Sequence, residues 1–190
     1  MNILKSFILG MLSFLVSQIL IRLPVLKLIQ QSSNYNVYIS FYPLLVIGLL
    51  AITAGIFEET GRFLFRKCFL SKQSLISYAI IFGLGHSLME IIYLFYPYLG
   101  TGLISPIAYL ERLFATFIHI GLSVIVWEGF LLNKKYKYLL IAIIVHGIVD
   151  FIPFISSILI AETILGIEAI LLILYTIRTY KKFGGMKNEN

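Results

Sequence analysis

Charge is scarce in this chain, and cysteine scarcer still. Only 13% of its 190 residues are Asp, Glu, Lys or Arg, about half the share found in soluble domains. So few charges exclude a disordered chain and leave a soluble enzyme without enough polar surface. The single cysteine excludes a disulfide framework and any zinc site built on several thiolates. Acid is the rarer sign, with 9 Asp and Glu against 15 Lys and Arg and a net charge of +6. Apolar residues, by contrast, make up 59% of the chain, more than one core of this size can hide. An integral membrane protein is what remains. Its basic excess then marks the loops on one side of a bilayer and calls for no nucleic acid.

The apolar runs lie between clusters of charge. They cover residues 3–21, 41–57 with a continuation to Arg66 and Lys67, 74–96, 104–132, 138–152, and 154 or 157 to 177. Each is about the 17 to 25 residues that a spanning helix needs. The first lacks a small-x-small cleavage site and is read as a retained helix. Arg22 and Lys27 follow it as loop or interfacial residues, and 30–36 is the first real loop. The expected fold is an all-α, polytopic membrane bundle of about six transmembrane helices. It forms one domain over 1–190, with a basic tail at 178–190. Lys5, Arg66, Lys67, Lys72, Lys134, Lys135, Lys137, Arg178, Lys181, Lys182 and Lys187 fall on one side. The positive-inside rule places that side, with both termini, in the cytoplasm of a multi-pass cell-membrane protein. The 15 Phe and 12 Tyr read as lipid-facing bulk and interfacial belts.

Several ionisable residues do not sit in loops. Glu58, Glu59, Arg62, His86, Glu90, Glu111, Arg112, His119, Glu128, His146, Asp150, Glu162 and Glu168 lie within the apolar runs. Such groups are costly in a bilayer unless they pair or line a cavity. All three histidines of the chain are among them. At 1.5 Å per residue, Glu58, His86, His119 and His146 lie roughly 11 to 20 Å from the basic helix ends. That alignment predicts a single intramembrane site, open toward the cytoplasmic half. Helical spacing supports it: His86 and Glu90, His146 and Asp150, and Glu58 and Arg62 are each four residues apart and share a face.

The chemistry these residues offer is water activation. A carboxylate shielded from bulk water can serve as a general base, and histidines can stabilise a developing oxyanion. The same histidines with a carboxylate, namely His86, His119, His146 and Glu58, could instead hold zinc. Spacing alone leaves both readings open. No HExxH or GxSxG motif is present.

Four short motifs in order carry a resemblance. They are Glu58-Glu59-Thr60-Gly61-Arg62, Phe82-Gly83-Leu84-Gly85-His86 with Glu90, Glu111-Arg112 with His119, and His146 with Asp150 four residues on. The chain resembles the CAAX-protease and bacteriocin-processing superfamily of intramembrane endopeptidases, and within it the YhfC-like branch. The similar region is about residues 41–152. The resemblance implies a glutamic-type protease with no required cofactor, in which Glu58 activates water while Glu59 and Arg62 orient or charge-balance it. It also implies that His86 positions the water, that His146 and Asp150 stabilise the oxyanion, and that His119 and Glu111 support the site. Older descriptions of such enzymes as metalloproteases keep zinc open. The chain departs from the superfamily in having two residues, Thr60 and Gly61, between the second Glu and the Arg, where three are common. It also has Asp150 in place of Asn, and six helices where relatives have seven or eight. The missing helix implies a homo-oligomer if the site needs completing. The expected partners are the lipid bilayer and a membrane-protein, lipidated or peptide substrate.

Two other functions use the same residues differently. A proton-coupled transporter would run the buried acids and histidines as a relay, but would more often show two related halves. A non-catalytic immunity or scaffold protein would keep the helices and give the polar set no common focus.

Overall fold

A computed structural model describes residues 3–72 and 74–183. The first span, Ile3–Gln30, is one continuous helical rod. It comprises α1 (Ile3–Phe14), a π-helical stretch (Leu15–Arg22) and α2 (Leu23–Gln30). A short α3 (Ser33–Phe41) follows, and then five long helices: α4 (Pro43–Phe69), α5 (Ile76–Phe95), α6 (Pro106–Leu131), α7 (Lys135–Ile155) and α8 (Ile158–Phe183). All six spans are long and apolar enough to cross a membrane, and the fold is an all-α bundle.

Most boundaries follow local chemistry. Ser32 and Ser105 cap α3 and α6 by accepting the Tyr35 and Ala108 backbone N–H groups, at 3.2 and 3.3 Å. Pro43 and Pro106 occupy first-turn positions where no N–H is needed. Asn133 turns the chain from α6 into α7 with φ at 60°. Four expectations are corrected. The first span continues through Arg22 and Lys27 to Gln30, and most of the 30–36 loop is α3. Helix α7 begins at Lys135 and runs through Pro153. Helix α8 continues to Phe183, so Arg178, Lys181 and Lys182 are helical, while Gly184, Gly185 and Lys187 lie outside the described residues.

Helix α6 is the most buried span and packs against α4, α5, α7 and α8. The first span lies against α5 through α1 and against α4 through its π-helical stretch. Lipid offers no hydrophobic drive between helices, so close backbone approach must hold them together. A Cβ on Gly85 would lie 2.1 Å from the Phe7 carbonyl oxygen, and one on Gly55 2.6 Å from that of Ile143. Glycine is required at both, and these contacts seat α1 on α5 and α4 on α7. The Ser6 hydroxyl adds a bond to the Tyr78 carbonyl at 2.7 Å. Outward positions carry large apolar side chains such as Leu28, Leu64, Ile148 and Leu159, as a lipid-facing surface should.

Candidate active site

Four helices deliver the expected residues to one level. Measured from the basic ends of their helices, Glu58, His86, His119 and His146 lie about 15 to 18 Å deep at 1.5 Å per residue. The depths agree better than the sequence suggested because α4 and α7 each extend three residues further at the basic end. Glu58, Glu59, Arg62, His86, His119 and His146 are all buried.

Their contacts form a connected network. His86 Nε2 lies 3.0 Å from Glu58 Oε2, and His146 Nε2 lies 3.8 Å from the same oxygen. His146 Nδ1 lies 2.8 Å from Glu59 Oε1. Arg62 Nε is 3.3 Å from Glu59 Oε2, so Glu59 sits between a cation and an imidazole. The Nη1 of Arg62 donates to the His119 carbonyl at 2.7 Å and to the Ser123 hydroxyl at 2.9 Å. Its Nη2 faces His119 Nδ1 at 3.3 Å. A guanidinium only donates, so His119 Nδ1 accepts and Nε2 carries the proton. That proton goes to Glu90 Oε2 at 2.7 Å. The same reasoning gives His146 its proton on Nδ1, toward Glu59, and turns Nε2 toward Glu58. The His86 and His119 ring centroids are 4.8 Å apart, and those of His119 and His146 5.5 Å.

A cavity of about 470 Å³ adjoins this network, with Glu58, Glu90, His119, His146 and Asp150 in its wall. It is walled by Gln18, Arg22 and Leu26 of the first span, Leu50 and Ala51 near the start of α4, Tyr93 and Leu94 near the end of α5, and Pro153 and Phe154 of α7. All of these belong to the lysine-poor end. The expected opening toward the basic half is therefore corrected: the cavity opens the other way. Toward the basic end the site is backed by aromatic packing, and a second cavity there, walled by Ile125, Lys137, Tyr138 and Tyr175 among others, includes none of the site residues. Phe63 packs on Phe130 and Tyr136, Phe82 on Trp127, and the Arg66 guanidinium lies over Trp127 and Phe130.

Asp150 reaches the site as the late motif predicts, with Oδ2 3.7 Å from His146 Nε2 and a half-exposed side chain on the cavity wall. Glu111 and Glu90 both pair with Arg112, at 2.6 and 2.7 Å. Glu128 belongs elsewhere: it is bound by Tyr175, Thr179 and Lys182 of α8 near the basic end. Glu162 and Glu168 do not line the cavity. Gly61, within the double-Glu motif, packs beneath Ser17 of the first span. Sequence reasoning missed Ser123 and the cavity-facing position of Arg22. The spacing of Ser123, four residues after His119, was the available signal for the first.

A family model for YhfC intramembrane metalloproteases matches residues 2–96 and 101–172. The chain belongs to that family. The family is part of the CAAX-protease and bacteriocin-processing superfamily, and the match extends beyond the motif-bearing region into α1 and α8. No curated protein and no solved structure matches the chain.

A YhfC metalloprotease should offer a metal its ligands, and the donor set here can be tested. Glu58, His86 and His119 each bring one donor atom to within 4.8 Å of the others. Two imidazoles and a carboxylate are a zinc-type set, and tetrahedral ligands at normal bond lengths sit roughly 3.4 Å apart. His86 Nδ1 is buried with no hydrogen-bond partner, so that ring has a nitrogen to spare. The set fits, at the cost of one His119 contact, because both of its nitrogens face partners. His146, an expected fourth candidate, stands outside this group with Nδ1 committed to Glu59.

Proposed function

We propose that the protein is an intramembrane endopeptidase that hydrolyses a peptide bond of a membrane-embedded, lipidated or peptide substrate. The observation that carries this reading is the convergence of Glu58, Glu59, His86, His119 and His146 beside one cavity within the depth of the bundle. Glu58 presents an oxygen to two histidines and to the cavity, where it accepts the proton of an attacking water. Glu59, fixed by Arg62, holds the His146 proton on Nδ1 and leaves Nε2 to face the reacting groups. This is the logic by which a carboxylate orients a working imidazole. His146 Nε2, once protonated, donates to the oxyanion or to the leaving amine, and Asp150 beside it supports that charged form. Glu90 and Arg62 hold His119 in one tautomer. A zinc ion held by Glu58, His86 and His119 would supply Lewis acidity.

Orientation follows from the same reading. With the lysine-rich end in the cytoplasm, both termini are cytoplasmic and the cavity opens away from the cytoplasm. Cys68, the only cysteine, is exposed near the basic end of α4. A membrane-impermeant maleimide should label it in inverted vesicles and leave it unlabelled in intact cells; the reverse pattern would invert the topology.

The test of hydrolysis uses purified protein in nanodiscs and a library of apolar peptides in ¹⁸O-water. One heavy oxygen should appear in each new C-terminal carboxylate, and an absence of labelled products with wild-type protein would refute the protease reading. Zinc content of the wild type and His86→Ala separates the two ways of activating water. Near-stoichiometric zinc, lost in the variant, makes Glu58 a ligand. No zinc in either leaves Glu58 as the base. The transporter reading has no comparable support, because the polar network ends in a cavity and a packed aromatic floor.

A further inference from the structure

Arg22 is a buried cation with no carboxylate in direct contact. It is 8% exposed, and its guanidinium lies on the wall of the cavity. Nη2 donates to the Leu50 carbonyl at 2.8 Å and Nη1 to the Gln18 side-chain oxygen at 3.1 Å. Both acceptors are neutral, and Nε is buried with no partner. Among the described residues, no carboxylate lies within ion-pair distance of it, and Glu58 and Asp150 attract it only from further off, across the cavity. The other arginines buried or partly buried within the bundle are accommodated. Arg62 contacts Glu59, Arg112 pairs with Glu90 and Glu111, and Arg66 lies over two aromatic rings and donates to the Leu70 carbonyl. An unpaired charge within a membrane helix is among the costlier arrangements a protein can hold.

The surroundings point to what would offset it. The π-helical stretch puts Gln18 and Arg22 on the cavity side of the first span, a local widening that recurs at functional sites. Gln18 spends its oxygen on Arg22, so its amide N–H groups remain as donors. The pair therefore presents donors only. Phe14, Leu26, Leu50 and Leu94 surround it with apolar wall. The two cavity acids nearest the reaction centre are already associated with histidines, Glu58 with His86 and Asp150 with His146. A single fork of guanidinium donors in an apolar setting matches one carboxylate. Leu50, which Arg22 binds, precedes Glu58 by eight residues on α4, about 12 Å along the helix. A few extended residues span that distance, so one occupant can reach both.

We propose that Arg22 is a specificity-determining residue that binds a carboxylate of the peptide entering the cavity, a reading that rests on the protease assignment above. Either an acidic side chain or a free C-terminus would provide that group. The test measures binding, so it does not depend on turnover. Three dansyl-labelled apolar octapeptides are titrated into wild type, Arg22→Gln and Arg22→Lys in neutral-lipid nanodiscs. The first has one internal Glu and an amidated C-terminus. The second replaces that Glu with Gln, and the third is the Gln peptide with a free C-terminus. Wild type should bind the first or the third at least tenfold more tightly than the second, and which of them wins identifies the source of the carboxylate. Arg22→Gln should lose the preference and Arg22→Lys should keep most of it, which separates charge recognition from misfolding.

Equal affinity for all three peptides, no binding of any, or a preference that survives in Arg22→Gln would overturn the proposal. Arg22-dependent binding of phosphatidylglycerol without discrimination among the peptides would overturn it in favour of a lipid site. An Arg22-dependent preference without any cleavage would remove the protease reading and leave the carboxylate site standing. Cleavage without that preference would do the opposite.

Discussion

Glu58 and Glu128 are both buried carboxylates within membrane-spanning helices, and they belong to different kinds of structure. Glu128, near the basic end of α6, is bound by Tyr175, Thr179 and Lys182, all from α8. Its partner Tyr175 lines a separate cavity near the basic end, and Glu128 itself has no place on the wall of the main cavity. Glu58 contacts histidines from two other helices through one oxygen and lines that cavity. The comparison teaches that burial of an acid does not mark a reactive site. One carboxylate joins two helices as polar glue. The other shares its oxygen among groups that can exchange protons and has space beside it for a reactant.

The comparison can be broken by substitution, starting with the largest expected effect. Glu58→Gln should lower peptide cleavage about 10³-fold, the range for loss of a positioned general base, with little change in thermal unfolding. Arg62→Leu leaves the buried Glu59 with only its His146 hydrogen bond and no cation beside it, and should destabilise the bundle by about 3 kcal/mol. Adding Glu59→Gln should recover part of that loss in a melting curve, and a double variant no more stable than the single would remove the pair from the account. Glu90→Gln takes the negative acceptor from His119 and should lower kcat about tenfold, as expected when a carboxylate orienting an imidazole is lost. Its substrate KM should hold, since Glu90 is assigned to His119 and not to the substrate. The smallest effect belongs to Glu128→Gln, which should cost about 0.6 kcal/mol, typical of a polar contact between membrane helices, and leave cleavage intact.

Much of this was legible in the residues. The six spans followed from apolar length between charges. Glu58, Glu59, Arg62, His86, His119, His146 and Asp150 all reach one region. Depth could be read because a helix advances by a fixed rise, and the error came only from ends that α4 and α7 extend past their apolar stretches. What periodicity could not show was where the bundle leaves space. Arg22 looked like a loop residue because a charge and Pro24 follow the first apolar run, yet the helix continues and turns that charge inward. The opening of the cavity was misread for a related reason. It depends on which end the aromatic residues fill, and Phe63, Phe82, Trp127 and Phe130 meet only through packing between distant segments. Pro153 looked like a terminator, but a proline near a helix end lets the last turn form around it.

The most direct measurement of the central claim is the turnover of one apolar peptide by wild type, Glu58→Gln and Glu128→Gln, each prepared in the same nanodiscs and quantified by mass spectrometry. The account predicts identical cleavage sites and rates within about threefold for wild type and Glu128→Gln, and no cleavage above background for Glu58→Gln. Wild-type turnover by Glu58→Gln, or its loss in a folded Glu128→Gln, would contradict it.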